Sequence, residues 1–256
     1  MPLYESITLN DGRRGFRKSA SGSEGGRQLQ AEADGLAALA ATGQVRTPAV
    51  FALDNTALVT EWVDTGEGSE RGWRVLGEQL AAMQAIEQAG FGFTADNYCG
   101  NTPQPNQPSD DGHAFFAEHR LLYQCGLAFD AGLLERPLLN AIERLCSRLE
   151  ELVPSQAPAL LHGDLWRGNV LFDNRGEPVL IDPACYWGWP EAEVAMSDLF
   201  GGFPDAFFDS WAAAARPEGG WRGRLPLYQL YHLLNHLNLF GGSYLPQVRS
   251  VVRTFS

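Results

Sequence analysis

The chain has 256 residues, 45% of them hydrophobic and 20% charged, which gives enough apolar material for a real core in two small lobes or one large domain and rules out a disordered polymer. The formal net charge is −12, a sign that repels phosphate backbones and argues against nucleic acid as a partner, although solubility accounts for the charge equally well. The four cysteines show no CxxC spacing and read as reduced, mostly buried thiols, and no stretch is long and apolar enough for a membrane span, so a cytoplasmic protein with no membrane partner is expected.

In chain order, residues 7–9 and 16–18 read as two strands around Asp11-Gly12, a hairpin signal. Residues 21–26 read as a flexible polar loop. A helix over about 28–41 follows, with Leu29, Ala33, Leu36, Ala37 and Ala40 at helical spacing and Gly43 as its stop. Residues 48–53 and 57–63 are two more strands joined at Asp54-Asn55, and the Gly-rich stretch 64–72 reads as a linker. Beyond it Leu76, Leu80 and Met83 share a helical face. Thr102-Pro103-Gln104-Pro105-Asn106 cannot form a regular helix, because proline lacks an N–H and fixes φ. Helices are expected over 114–131 and 138–152. A strand–turn–strand at 170–172 and 179–181 comes next, and two closing helices at 225–240 and 245–252.

The expectation is therefore an α+β chain: an N-terminal lobe at 1–63 built from a small antiparallel sheet plus one helix, a hinge at 64–72, and a larger, mainly helical lobe at 73–256. That is the layout of the bilobal protein-kinase-like fold, and layout alone does not assign function.

The chemistry concentrates in Leu161-His162-Gly163-Asp164-Leu165-Trp166-Arg167-Gly168-Asn169, just before the hairpin, and in Ile181-Asp182-Pro183 just after it. Phosphoryl transfer needs an acceptor hydroxyl held in line and cations held against phosphate oxygens. An Asp that receives the hydroxyl proton, an Asn five residues on and a second Asp across a hairpin supply that set, and oxygen ligands suit Mg²⁺. A lone His-Gly-Asp would be an ordinary turn; the ordered set with the hairpin between is not. His162 reads as a brace for the loop rather than a proton carrier.

His162-Gly163-Asp164-Leu165-Trp166-Arg167-Gly168-Asn169 resembles the catalytic loop of the aminoglycoside-phosphotransferase and choline-kinase group, and Trp166 is similar to the fructosamine (ketosamine) kinases in particular. So are Ala31-Glu32-Ala33-Asp34-Gly35-Leu36, Thr102-Pro103-Gln104-Pro105-Asn106, Leu199-Phe200-Gly201-Gly202-Phe203, and Tyr231-His232-Leu233-Leu234-Asn235-His236 with Leu239-Phe240-Gly241-Gly242. The likeness spans nearly the whole chain and keeps its order. It implies Asp164 as general base, Asn169 and Asp182 as Mg²⁺ ligands, Lys18 on the ATP phosphates with Glu32 as its ion-pair partner, and Glu61, Trp62 and Val63 as the hinge that meets adenine through its backbone. Trp166 and His236 are candidates for the substrate wall. The implied activity is ATP-dependent phosphorylation of a sugar hydroxyl of a ketosamine, either a small molecule or a glycated protein lysine.

The chain departs from the family pattern in two places. The pattern's first strand and Gly-rich phosphate loop have no counterpart ahead of Ile7, and the glycines at 22–26 follow Lys18 instead of preceding it. Glu193 stands where the pattern has an Asp that braces the catalytic loop. Two alternatives therefore stand beside the ketosamine kinase: an aminoglycoside- or choline-type amino-alcohol kinase, and a non-catalytic pseudokinase.

Overall fold

A computed structural model describes residues 3–256. The elements run β1 (Leu3–Thr8), β2 (Arg14–Ser19), α1 (Gly22–Ala41), β3 (Val50–Leu53), β4 (Ala57–Glu61), α2 (Glu70–Gln84), β5 (Asn97–Cys99) and β6 (Thr102–Gln104). Then come α3 (Gly112–Phe115), a π-helical stretch Phe116–Leu122, α4 (Tyr123–Asp130), α5 (Arg136–Cys146), α6 (Leu149–Leu152), β7 (Ala159–Leu161), β8 (Val170–Phe172), β9 (Pro178–Leu180) and β10 (Tyr186–Gly188). Four helices close the chain: α7 (Pro190–Asp198), α8 (Asp205–Ala215), α9 (Trp221–Phe240) and α10 (Leu245–Phe255). This is the expected α+β class, one small antiparallel sheet with a helix and a mainly helical remainder. Among the described residues no helix is long and apolar enough to cross a membrane.

The chain forms two compact units, each gathered from separated segments. The first comprises Met1–Ile86, His162–Cys185 and Gly202–Arg216. Its sheet has the order β1-β2-β4-β3, every pair antiparallel. Side chains alternate between faces of a strand, so one face carries Tyr4, Phe16, Lys18, Leu58 and Thr60, with Tyr4 opposite Lys18, Phe16 opposite Thr60 and Lys18 opposite Leu58. Leu58 on that face packs with Leu29 and Ala33 of α1.

Helix α1 begins at Gly22, so the loop expected at 21–26 is helical from its second residue. The glycines there serve packing. A Cβ on Gly25 would lie 2.8 Å from the Ala20 side chain, and one on Gly26 would lie 2.8 Å from the Asn55 carbonyl. The Asp54-Asn55 turn is held by Asp54 Oδ1, which accepts from the Thr56 and Ala57 backbone N–H groups at 2.7 and 2.9 Å. The stretch read as a linker ends early, because Ser69 caps α2 by accepting from the Gly72 N–H at 3.1 Å.

Helix α2 packs closely on α8: a Cβ on Gly77 would meet the Phe207 carbonyl at 2.5 Å, and the Trp211 indole donates to Gln84 Oε1 at 2.8 Å. Trp73 of α2 sits 4.9 Å edge-on to Phe172, which buttresses the β8–β9 hairpin.

The second unit comprises Glu87–Leu161, Tyr186–Gly201 and Pro217–Ser256. Its Thr102-Pro103-Gln104-Pro105-Asn106 segment is the structural knot of this unit. Gln104 donates to Asn97 Oδ1 at 2.7 Å and accepts from the Tyr231 hydroxyl of α9 at 2.6 Å. Arg120, fully buried on the π-helical stretch, donates to Asn106 Oδ1 and the Pro105 carbonyl, both at 2.7 Å, and stacks 3.9 Å over the Tyr186 ring. The helix expected over 138–152 is broken after Cys146 into α5 and α6.

Candidate active site

The catalytic-loop candidates fall together in the first unit. His162 is fully buried, with Nε2 2.9 Å from the Ile181 carbonyl and Nδ1 3.3 Å from the Asp164 N–H. A carbonyl only accepts and an amide N–H only donates, so the ring is neutral with its proton on Nε2. Burial agrees, holding the imidazole down at about 4. His162 thus fastens Asp164 to Ile181, in the segment that leads from β9 to Asp182.

Asn169 lies at the end of a 3₁₀ turn at Arg167–Asn169. Its amide nitrogen donates to the Asp164 carbonyl at 2.9 Å and to Asp164 Oδ2 at 3.2 Å. That leaves Oδ1 with no hydrogen bond among the described residues. Burial lifts the Asp164 carboxyl to about 7, against the Asn169 hydrogen bond and with help from the Asp182 charge.

Asp182 adopts a left-handed backbone, φ +53°, which Asp tolerates better than most residues at a cost of roughly 1 kcal/mol. The following Pro183 is fitted against α1: a Cβ on Gly35 would lie 2.9 Å from Pro183 Cγ. That close approach brings Asp182 to Lys18, whose Nζ lies 3.3 Å from Asp182 Oδ1 and 2.5 Å from Glu32 Oε2. Glu32 reaches Lys18 because it lies on the buried stripe of α1 with Leu29, Ala33 and Leu36. Burial lifts the Glu32 carboxyl to about 7, with Lys18 opposing and Asp182 adding to the rise. The two carboxylates in turn hold the Lys18 ammonium above its ordinary value against burial.

Beside this charge cluster lies a cleft of about 340 Å³. One wall is the sheet face with Tyr4, Phe16 and Thr60, the opposite wall is Leu171 and Ile181, and Glu61, Trp62 and Val63 form one end. The Val63 N–H and C=O make no hydrogen bond to a described residue. The Glu61 carboxylate is turned to other work, accepting from Arg46 at 2.9 Å and from the Ala49 N–H at 3.3 Å.

Trp166 is 40% exposed on the catalytic loop. Its ring lies over Gly168, where a Cβ would come within 2.4 Å of it. His236 belongs to the second unit. Its Nδ1 lies 2.8 Å from the His232 carbonyl, and Phe200, Phe240 and Tyr244 surround the ring at 4.5–5.3 Å.

Three contributors escaped the sequence reading. Tyr4 and Phe16 line the cleft, a placement that period-2 alternation from Lys18 back to Phe16 signals. Arg46 bridges Glu61 and Asp173, the latter at 2.6 Å, and its carbonyl accepts from the Leu180 N–H at 2.9 Å. No sequence pattern marks a lone arginine between a helix and a strand as this tie.

The residues present suit a nucleotide and a hard divalent cation. The Asn169 amide oxygen and the Asp182 carboxylate are oxygen donors of the kind Mg²⁺ takes, and Lys18 supplies a positive charge for phosphate.

Comparison with known proteins identifies the family. The profile of the family described as Fructosamine kinase matches residues 5–255. A Synechocystis protein described as "Probable ketoamine kinase" is 42% identical over 98% of this chain and 86% of its own length. The chloroplastic protein-ribulosamine 3-kinase of Arabidopsis thaliana is 37% identical over 90% of this chain and 72% of its own. A crystal structure of a candidate fructosamine-3-kinase from Thermobifida fusca superposes with a TM-score of 0.91 at 34% identity, covering 99% of this chain and 92% of that one. Likeness of fold alone extends to an aminoglycoside phosphotransferase, TM-score 0.64 at 17% identity. The chain belongs to the fructosamine kinase family, with the protein-kinase-like fold and the phosphotransferase chemistry that its sequence implied.

Proposed function

We propose that this protein transfers the γ-phosphoryl group of ATP, with Mg²⁺, to a sugar hydroxyl of a ketosamine, carried either by a small molecule or by a glycated protein lysine. The observation that carries the reading is the single cluster of Asp164, Asn169, Asp182, Lys18 and Glu32 beside a cleft of nucleotide size. Relatives described as ketoamine and ribulosamine kinases support the acceptor class.

In this reading Asp164 orients the acceptor hydroxyl and takes its proton. A carboxyl poised at about 7 suits a general base at neutral pH. Lys18, fixed by Glu32, holds the α- and β-phosphates as a point charge. Asn169 and Asp182 hold the cation, which when bound neutralises charge on the transferring group. Residues 61–63 receive the base edge through the free Val63 backbone groups, and residues 64–69, ahead of α2, form the hinge. Trp166 lines the sugar. The four free cysteines fit a cytoplasmic setting.

The test is a substrate panel: fructosyl-lysine, ribulosyl-lysine, an aminoglycoside and choline, each with ATP and Mg²⁺, scored by mass spectrometry. Phosphorylation of the ketosamines alone supports the reading. Preferential phosphorylation of the aminoglycoside or choline, or ATP binding with no turnover of any acceptor, contradicts it.

A further inference from the structure

Lysine and arginine together number 19, and Lys18 is the one lysine among them; the rest are arginines. The fold explains some of those arginines. Arg224 closes a two-pronged pair on the buried Glu191 carboxylate at 2.6 and 2.8 Å, and Arg120 and Arg46 each reach two separate acceptors. A planar guanidinium fork meets such partners and an ammonium does not.

The surface arginines are different. Arg71, Arg74 and Arg249 pair with Glu177, Glu70 and Glu135 at 2.8, 2.8 and 3.2 Å, with side chains 44–69% exposed. An ammonium on a flexible stem makes an exposed pair of this kind as well, and such a pair is worth at most about 1 kcal/mol. Neither packing nor charge therefore requires arginine there. What distinguishes the two side chains at the surface is their reactivity toward carbonyls. A reducing sugar condenses with an amine through the unprotonated nitrogen, which attacks the aldehyde carbon while water leaves. The C2 hydrogen then moves to C1 and the C2 hydroxyl proton to nitrogen, leaving a ketosamine. The arginine guanidinium gives up its proton about 2 pH units or more above a lysine ammonium, so it offers a free nitrogen at least ~100-fold more rarely.

The one lysine is withdrawn. The Lys18 side chain is 16% exposed, its Nζ lies 2.5 Å from Glu32 Oε2 and 3.3 Å from Asp182 Oδ1, and the Tyr4 ring stands 5.8 Å away. Two carboxylates and a ring thus crowd the nitrogen that a sugar aldehyde would have to reach.

Resting on the ketosamine reading of the acceptor, we propose that this protein resists glycation at its own side chains and so stays outside the substrate class it acts on. The reaction class that supplies its substrate is the condensation of a reducing sugar with a primary amine. The chain exposes arginine where that reaction would seek lysine. Its surface and its phosphate-binding lysine stay intact among sugars that damage lysine-bearing proteins, and its site is not occupied by ketosamines formed on its own copies.

The test compares wild type with a triple variant, Arg71→Lys, Arg74→Lys and Arg249→Lys, none of them placed in the site. Both are held for days in concentrated D-ribose at neutral pH without ATP, and in sorbitol, which has no carbonyl, as a control. Thermal melts beforehand show that both are folded. Peptide mapping by mass spectrometry then counts side-chain additions of one sugar less one water. The expected result is addition at the three substituted positions at a rate at least ~100-fold above that at the same positions in wild type, with Lys18 unmodified in both proteins. Addition at wild-type arginines at a comparable rate, addition at Lys18 as fast as at the substituted positions, or a variant that stays as clean as wild type overturns the proposal. The count needs no turnover, so a clean wild type beside an inactive substrate panel upholds the resistance while sinking the substrate assignment.

Discussion

Replacing Asp164 by Asn leaves the shape of the catalytic loop nearly unchanged, because the amide oxygen still accepts from Asn169 Nδ2, now 3.2 Å from Asp164 Oδ2. What changes is the charge. Burial lifts the Asp164 carboxyl from 3.8 to about 7, so the folded state prefers the protonated acid and the unfolded chain does not. The sign follows from linkage: stability is full below about 4, where both states are protonated, and is lost as pH rises toward 7. At about 1.4 kcal/mol per pH unit the ionised carboxylate costs the fold up to ~4 kcal/mol, and water reaching a partly exposed side chain reduces the expectation to ~2 kcal/mol. Thermal melts of wild type and Asp164→Asn at pH 4 and pH 8, without nucleotide, measure this. The two should melt together at pH 4, with Asp164→Asn several degrees higher at pH 8. Wild-type turnover should climb about tenfold per pH unit below 7 and level off above it. An Asn variant less stable than wild type at pH 8, or one that keeps wild-type turnover, would refute the reasoning.

Other perturbations probe the supports of the site. Arg46→Ala removes the tie between Glu61 and the Asp173 turn; KM for ATP should rise several-fold with kcat little changed, and stability should fall by ~1 kcal/mol because the pair is partly exposed, read by steady-state kinetics and urea titration. Gly168→Ala places a Cβ 2.4 Å from the Trp166 ring, so the ring must move; kcat/KM for the sugar substrate should fall about tenfold or more while nucleotide affinity holds. Asn169→Ala removes an oxygen donor and the hydrogen bond that restrains Asp164; the Mg²⁺ concentration for half-maximal rate should rise at least tenfold, and an unchanged Mg²⁺ titration would exclude Asn169 from the cation site.

The sequence reading singled out Asp164, Asn169 and Asp182, which the fold brings together, because they sit at short, ordered spacings around one hairpin. It reached the sheet for the same reason, since alternation and turn residues are local signals. It failed where packing overrides composition. Glycines at 22–26 look like a flexible loop, yet in the fold they let the start of α1 lie against Ala20 and Asn55. Helix α7 has every residue from Glu191 to Ser197 buried, so it has no polar face and no periodic pattern to detect. The expected helix over 138–152 ran through Ser147 and Arg148 because hydrophobic spacing continued across the break. Arg46, Tyr4 and Phe16 act through partners far away in sequence, and distance in sequence is what a local pattern cannot report. The Thr102-Pro103-Gln104-Pro105-Asn106 segment marks the family, but its visible work is to hold Asn97, Arg120 and Tyr231 in the second unit.

The central claim is phosphoryl transfer to a ketosamine by the Asp164 cluster. The most direct measurement is ³¹P NMR of a reaction containing ATP, Mg²⁺ and ribulosyl- or fructosyl-lysine, run with wild type and with Asp164→Asn. The account predicts a new sugar phosphomonoester resonance that grows with ADP in the wild-type reaction and is absent with the variant. No phosphomonoester from wild type, or equal product from both proteins, would contradict it.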